Sequence, residues 1–305
     1  MKRKIMTMVL SLAMLACVAQ ELATIASYNV RVFNANDEAQ GNVWSRRCKA
    51  ICDQMNFVSP VAFGTQEVTY KQLVDMQQLL DRYAYIGVGR DDGKQAGEFM
   101  AIFYNKEQLE LLKHDTFWLS ETPEKVSRGW DGACNRVCTW GEFRDKRTKK
   151  KFYYFNTHLD HKGPVAQVEG AKLLLRKIKE IAKGAPAVLT GDFNVSPRSK
   201  AFGELVNSGL VKDCYASARY RFAECGTFQD YDPYRRPADR IDHILVTPKV
   251  GVEAFAVLTD GYWTKNDAEP QVLKLNGAEV TVAGGKWTRR NPSDHYPVVA
   301  KLRLW

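Results

Sequence analysis

The sequence predicts one α/β domain, and three observations carry that expectation. Short β-branched and aromatic runs alternate with amphipathic stretches of helical period from residue 23 to the end of the chain. No linker, low-complexity tract or internal repeat divides them. At 305 residues, 26% of them charged, the chain has the length of one large domain or two, and the unbroken interleaving favours one.

Residues 1–19 stand apart. Lys2-Arg3-Lys4 precede an apolar run over 5–15 and the small-residue end Cys17-Val18-Ala19, the order of a secretory signal. The run is too short to span a bilayer and no later segment does better. The expectation is therefore an exported protein, periplasmic or extracellular, beginning near Gln20, with no stable membrane insertion and a monomeric state. Lipid anchoring through Cys17 is the weaker rival, because Met14 fits that cleavage pattern poorly.

Residues 20–305 form the domain. Residues 23–32 are β-rich and alternate, a first strand. Trp44, Cys48, Ile51, Cys52 and Met55 recur at helical spacing and predict an amphipathic helix over 43–57. A buried strand at 61–64 runs into Thr65-Gln66-Glu67, and a second helix covers 71–81. Strands at 83–88 and 99–104 bracket the glycine-rich turn 87–93. That turn offers Gly-x-Gly, but a strand follows it rather than the helix a dinucleotide site needs. Residues 136–144 and 152–158 read as a hairpin whose basic tip, 145–151, is better explained as a solvated loop than as a nucleic-acid patch. The clearest helix covers 166–183, with Val168, Ala171, Leu174, Leu175, Ile178 and Ile181 on one side and Gly184 ending it. Ala187-Val188-Leu189 is a buried strand that delivers Thr190-Gly191-Asp192-Phe193-Asn194. A short helix at 201–206 and strands at 241–247, 254–258 and 298–304 complete the domain. Residues 260–292 are an excursion with a small hairpin turned by Asn276-Gly277.

The formal charge of +9 falls to +6 without Lys2, Arg3 and Lys4, since residues 1–19 hold no acid. That balance suits an anionic substrate and is too diffuse for a nucleic-acid arm. Beyond the leader, Cys48, Cys52, Cys134, Cys138, Cys214 and Cys225 are even in number, which permits disulfides in an exported chain. Local spacing suggests Cys134–Cys138 and Cys214–Cys225, while Cys48 and Cys52, one helical turn apart, suit two buried thiols as well as a bridge. No histidine lies near these pairs, which disfavours zinc.

Polar residues gather at the ends of the strands: Asn29, Glu67, Glu98, Asn156-Thr157-His158, Asp192 with Asn194, Asp242-His243 and Ser293-Asp294-His295. Asp192 and Asn194, two apart in extended backbone, leave the same face. Singly, each has an ordinary explanation: a solvated strand end, a satisfied core histidine, or for Asp242 a pair with Arg240. Together they repeat metal-ligand and acid–base side chains at one kind of position.

Ser27-Tyr28-Asn29-Val30-Arg31, Gln66-Glu67, Asn156-Thr157-His158-Leu159-Asp160, Gly191-Asp192-Phe193-Asn194, Arg240-Ile241-Asp242-His243 and Ser293-Asp294-His295 resemble, in order, the motif series of the endonuclease/exonuclease/phosphatase superfamily. The resemblance covers 22–305 and is specific for the superfamily, not for the substrate. It implies a four-layer sandwich, two mostly antiparallel β-sheets packed face to face with helices outside. It also implies a Mg²⁺-dependent phosphoesterase (Mn²⁺ is possible), exported by the reading of its leader, that cleaves phosphodiester bonds with a water activated by a His–Asp pair. The anionic phosphate-ester substrate is left open among nucleic acid, phospholipid headgroup and sugar phosphate.

A phosphate ester repels nucleophiles, so its hydrolysis needs a divalent cation, a base for water and a stabiliser for the leaving oxygen. On this reading Glu67, with Asn29 beside it and Asp294 added, holds the metal through hard oxygen donors. His295, oriented by Asp242, is the general base. Asp192 and Asn194 position water and phosphoryl oxygen, and His158, with Glu98 as its carboxylate partner by resemblance to secreted deoxyribonucleases, serves the phosphate or the leaving group. Arg31, Arg90 and Asn156 contact substrate. Arg31 stands where the abasic-site branch carries a second carboxylate, which puts a two-metal arrangement in doubt. Trp118, Trp130, Trp140, Tyr231, Tyr234, Trp263 and Trp287 are stacking candidates, with packing the commoner role. The alternatives are a phosphomonoesterase on sugar or inositol phosphates and a non-catalytic binding protein. The last is disfavoured because Glu67, His158, Asp192 and His295 are all present.

Overall fold

The computed structural model describes residues 22–223, 225–265, 271–275, 278–282 and 287–304. The leader expected at 1–19, Cys17 included, lies outside them. Numbered along the chain, the strands of the two large sheets begin with β1 (Ala23–Asn29), β2 (Ala62–Gln66), β3 (Tyr83–Ile86) and β4 (Ile102–Asn105). They continue with β5 (Leu109–Trp118), β6 (Val137–Asp145), β7 (Lys151–His158), β8 (Ala187–Asp192) and β9 (Lys212–Asp213). β10 (Tyr220–Phe222), β11 (Asp242–Val246), β12 (Gly251–Val257) and β13 (Val298–Arg303) complete the set. One sheet has the order β10-β12-β13-β1-β2-β4-β3 and the other β9-β11-β8-β7-β6-β5. Parallel pairs occur only at β1–β2, β7–β8 and β10–β12, so both sheets are mostly antiparallel.

Alternation along the strands builds the layers. On β8, Val188 packs between the sheets with Tyr154, Ile244 and Phe255, while Leu189 faces outward. The outer face of the second sheet is covered by helices Pro164–Ala182 and Lys200–Val206, through Leu173, Leu174, Ile178 and Phe202 against Phe155, Leu189 and Leu245. Each such large side chain contributes about 2 kcal/mol by leaving water. The outer face of the first sheet is covered by Trp44–Val58 and Tyr70–Leu79, through Cys48, Ile51, Met55, Leu73 and Met76 against Tyr28, Phe63 and Phe103. Helix, sheet, sheet, helix is the four-layer sandwich expected.

Local signals account for the helix ends. Pro164 occupies the first turn of the long helix, and Lys183 ends it in a left-handed conformation, one residue before Gly184. Thr69 and Gln72 form a capping box at the start of Tyr70–Leu79.

Three expectations need correction or completion. β5 was not anticipated, because Glu110, Lys113, His114 and Asp115 give this edge strand an exposed, polar pattern with little alternation. Neither local disulfide forms: Cys134, Cys138 and Cys214 are free thiols. Cys138 is buried in the core under the long helix, whereas Cys134 lies at the cleft described below, so nearness in sequence does not bring this pair together; Cys214 is buried in the core between the sheets. The hairpin in the excursion pairs Gln271–Leu275 with Ala278–Val282, Leu275 opposite Ala278, while Asn276-Gly277 lie outside the described residues. Among the described residues, no helix is long and apolar enough to cross a membrane.

Candidate active site

Register places the site. Asp192, the last residue of β8, stands directly opposite His158 of β7 and Asp242 of β11, so three chemical side chains lie in one row on one face of the second sheet. The adjacent row, Thr157, Gly191 and His243, points the other way. His243 is therefore turned into the outer core, between the rings of Phe193 and Phe202, with its Nε2 3.2 Å from the Val195 carbonyl. From the facing sheet, the ends of β1 and β2 bring Asn29 and Glu67, and the turn before β13 brings Ser293, Asp294 and His295. Ser293 Oγ donates to the Asn29 carbonyl at 2.6 Å and ties that turn to β1.

The row closes on the Asp192 carboxylate. Its Oδ2 accepts from Asn29 Nδ2 at 3.0 Å, and lies 3.4 Å from His158 Nε2 and 3.7 Å from His295 Nε2. His295 Nδ1 meets Asp242 Oδ2 at 2.8 Å, both buried, which is the expected dyad. Asn29 Nδ2 also reaches Glu67 Oε1 at 3.0 Å. Asn194 Nδ2 contacts His158 Nε2 at 2.8 Å and donates to the Leu159 carbonyl at 3.0 Å, which fixes the amide nitrogen toward the imidazole.

Three residues just beyond strand ends, Arg31, Glu67 and Asn194, have left-handed backbone with φ of 60°, 60° and 52°. Asparagine accommodates this readily; arginine and glutamate are held there at a cost of about 1–2 kcal/mol each. The turns are secured by side-chain acceptors: Arg31 N donates to Asn29 Oδ1, Val32 N to Glu67 Oε2 and Asn194 N to Asp192 Oδ1. Behind them Arg47 is fully buried, and its guanidinium donates to the carbonyls of Val30, Arg31, Asn42 and Pro292. It locks the β1 turn to the turn carrying Asp294 and His295. An arginine on the apolar face of a predicted helix was the visible signal for it.

Electrostatics follow from burial. Burial, with Asp242 nearby, raises the Asp192 carboxyl to about 7. Burial, reinforced by Glu67, raises that of Asp294 to about 6. Burial also pushes Glu67 upward, but the Asn29 amide and the charges of His295 and Arg31 outweigh it and leave it below the ordinary value. Burial would lower His295, yet Asp242 and Asp192 hold it well above its usual range. His158 is pushed well below by burial, with Arg136 and Arg90 adding to the effect. Two buried carboxylates and one partly buried one face Arg31, which spans Asp294 at 3.4 Å, Asp37 at 3.0 Å and Glu67 at 4.0 Å. Glu67, His158 and Asp192 each offer a ligand atom within 4.8 Å of the others. A cluster rich in oxygen donors and short of positive charge fits a hard divalent cation.

Several sequence assignments change. Asn156 is not a substrate residue: it sits two residues below the rim, fully buried. It donates to the Thr65 and Ala101 carbonyls and accepts from Gln66 and Thr190. It bridges the two sheets, and Gly64 makes room, since a Cβ there would lie 2.2 Å from Asn156 Oδ1. Glu98 does not orient His158, because both its oxygens are taken by Arg90 at 2.6 and 3.1 Å. Asn29 turns its amide nitrogen, not its oxygen, to the carboxylates, so it spaces Glu67 from Asp192 rather than offering a ligand atom. Arg31 and Arg90 do line the cleft.

The cleft, about 430 Å³, also includes Arg136, His161 and Phe228, which the sequence had not singled out, and Cys134, which it had marked only as a disulfide partner. The run continuing from His158 through Asp160 to His161 was a signal for the histidine; nothing marked Arg136. Cys134, Asp160 and His161 cluster as if to bind metal. Asp160, however, is saturated by the backbone amides of Ala133, Lys162 and Gly163, and Arg136 supplies the local positive charge.

The sandwich, with acids, amides and two imidazoles at one rim, is the architecture of metal-assisted phosphoester hydrolases. Residues 26–295 match the Endonuclease/Exonuclease/phosphatase family, and the chain belongs to it. A mannosyl-6-phosphatase from Bacteroides thetaiotaomicron VPI-5482 is 41% identical with a TM-score of 0.84, covering 92% of this chain and 99% of that one. A family member from Bacteroides vulgatus is 36% identical with a TM-score of 0.78, covering 92% and 98%. Nocturnin of Drosophila melanogaster is 23% identical over 92% of this chain but only 45% of its own length. The chain spans about half the length of the curated relatives it matches.

Proposed function

We propose that this protein is a Mg²⁺-dependent phosphomonoesterase acting on sugar phosphates, with a hexose 6-phosphate as the type of substrate. The observation that carries the chemistry is the shared Asp192 oxygen, flanked by His158 Nε2 at 3.4 Å and His295 Nε2 at 3.7 Å. It puts a water-activating imidazole and a phosphate-facing imidazole on opposite sides of one carboxylate. A cation bound beside these carboxylates would offset the negative charge that holds His295 protonated; in its neutral form His295 takes the proton from water at Nε2, while Asp242 accepts Nδ1–H, fixes the tautomer and stabilises the imidazolium that forms. Asn194, aligned on His158, orients the phosphoryl group. Glu67 and Asp294 would hold the divalent cation, which supplies positive charge to the phosphoryl and leaving oxygens.

The monoester and sugar assignment is supported by 41% identity to a mannosyl-6-phosphatase over nearly the whole of both chains. A cleft of about 430 Å³, with Arg90 and Arg136 on one wall, also has room for a hexose phosphate. The leader pattern at 1–19 supports export, which cell fractionation with amino-terminal sequencing tests.

The test of function is release of inorganic phosphate with Mg²⁺ and with EDTA. The panel is mannose 6-phosphate, glucose 6-phosphate, p-nitrophenyl phosphate, bis-p-nitrophenyl phosphate, RNA and plasmid DNA. EDTA-sensitive turnover of hexose phosphates above the diesters is expected. Faster cleavage of diester or nucleic acid would place the protein in the nuclease branch.

A further inference from the structure

We propose that Arg136 is the residue that makes the site select monoesters over diesters, by binding the third non-bridging oxygen of the phosphoryl group. The proposal rests on the phosphomonoesterase reading above and goes beyond it by naming the discriminating contact.

Arg136 immediately precedes β6, and Leu119 N donates to its carbonyl at 2.7 Å, which fixes its backbone in the cleft wall. The side chain is 7% exposed, yet little of its hydrogen-bonding capacity is used. Nη2 meets His161 Nδ1 at 3.0 Å. Nε lies 3.6 Å from Asp160 Oδ2, beyond hydrogen-bond reach. Nε and Nη1 have no hydrogen-bond partner among the described residues. Asp160 balances the charge without consuming the donors, because its oxygens already receive three backbone amides.

A buried guanidinium with idle donors is a cost to the fold. Arg47 shows the alternative in the same molecule, a buried arginine spent on four carbonyls. Arg90, on the same wall, is largely committed, with both terminal nitrogens on Glu98 and only Nε without a hydrogen-bond partner. Arg136 is thus the arginine of this wall whose donors await an anion.

Oxygen counting assigns the anion. A monoester presents three non-bridging oxygens and two negative charges; a diester presents two and one, with a second carbon arm in the remaining position. The carboxylate side of the cleft, holding a cation, would take one oxygen and the Asn194–His158 side another. The third would meet the wall of Arg136, where Nη1, with no protein partner, offers its N–H donors and the guanidinium its charge. A diester would place an uncharged ester arm against a buried cation.

The experiment compares wild type, Arg136→Met and Arg136→Lys on p-nitrophenyl phosphate and bis-p-nitrophenyl phosphate, with inorganic phosphate as inhibitor and thermal unfolding as control. Arg136→Met is expected to lower kcat/KM for the monoester about 100-fold and for the diester less than about tenfold. It should weaken phosphate inhibition in parallel and leave Tm equal or higher, since an idle buried charge has been removed. Arg136→Lys should recover part of the monoester loss, because it keeps the positive charge. Equal losses on both esters, or unchanged phosphate inhibition, would overturn the assignment. A lower Tm with both activities reduced would overturn it as well, by making Arg136 structural. Wild-type preference for the diester would instead refute the phosphomonoesterase reading itself.

Discussion

Asp242→Asn isolates the charge in the dyad. The asparagine oxygen can still accept from His295 Nδ1 at the 2.8 Å contact, so the tautomer and ring position survive while the negative charge is lost. When His295 takes the proton from water, the imidazolium and the carboxylate have charge centres about 4 Å apart, worth about 4 kcal/mol at an effective dielectric of about 20. Asp192, 3.7 Å from Nε2, retains part of that stabilisation. The expected loss in kcat is about a thousandfold, with KM nearly unchanged. Folding should survive: Asp242 Oδ1 has no hydrogen-bond partner, so an amide there is unsatisfied at a cost of about 1–3 kcal/mol, offset by relief of repulsion with Asp192. The assay is steady-state phosphate release at saturating Mg²⁺, with circular dichroism confirming the fold. A kcat within tenfold of wild type would show that His295 is not the proton acceptor.

Three further substitutions test the surrounding assignments. Glu67→Gln should raise the Mg²⁺ concentration for half-maximal activity by about 100-fold; an unchanged Mg²⁺ titration removes Glu67 as a ligand. Glu98→Gln should raise KM through the loosened Arg90 while sparing kcat, and a collapse of kcat would restore Glu98 as the partner of His158. Asn156→Ala should lower unfolding free energy by about 3 kcal/mol by breaking the polar bridge between the sheets. Denaturant titration reads that loss, and an altered KM at equal folded fraction would return Asn156 to the substrate.

Much of the site was legible in the sequence because its residues follow apolar strand runs in short, recognisable motifs. Glu67, His158, Asp192, Asn194, Asp242 and His295 come together as those motifs implied. Where the reading went astray, the cause was a contact that residue type and position in a motif do not reveal. Glu98 has the right type and place to serve His158, but Arg90, eight residues earlier, takes both its oxygens. Asn156 belongs to the same motif as His158, yet two residues of strand carry it from the rim into a fully buried bridge.

The sequence by itself determined the alternation of strands and helices, the order of the motifs and the types of chemical group available, since these are set by local periodicity and by residues a few positions apart. Only the tertiary structure decided which groups meet. Sheet register aligns His158, Asp192 and Asp242 in one row and turns His243 away. Face-to-face packing of the two sheets brings Asn29, Glu67 and His295 against that row. A loop that no local pattern marks sets Arg136 into the cleft with its donors unspent. Long-range pairing fixes these contacts, and a one-residue shift of a strand's register would turn its site side chain, such as Asp192 on β8, to the opposite face.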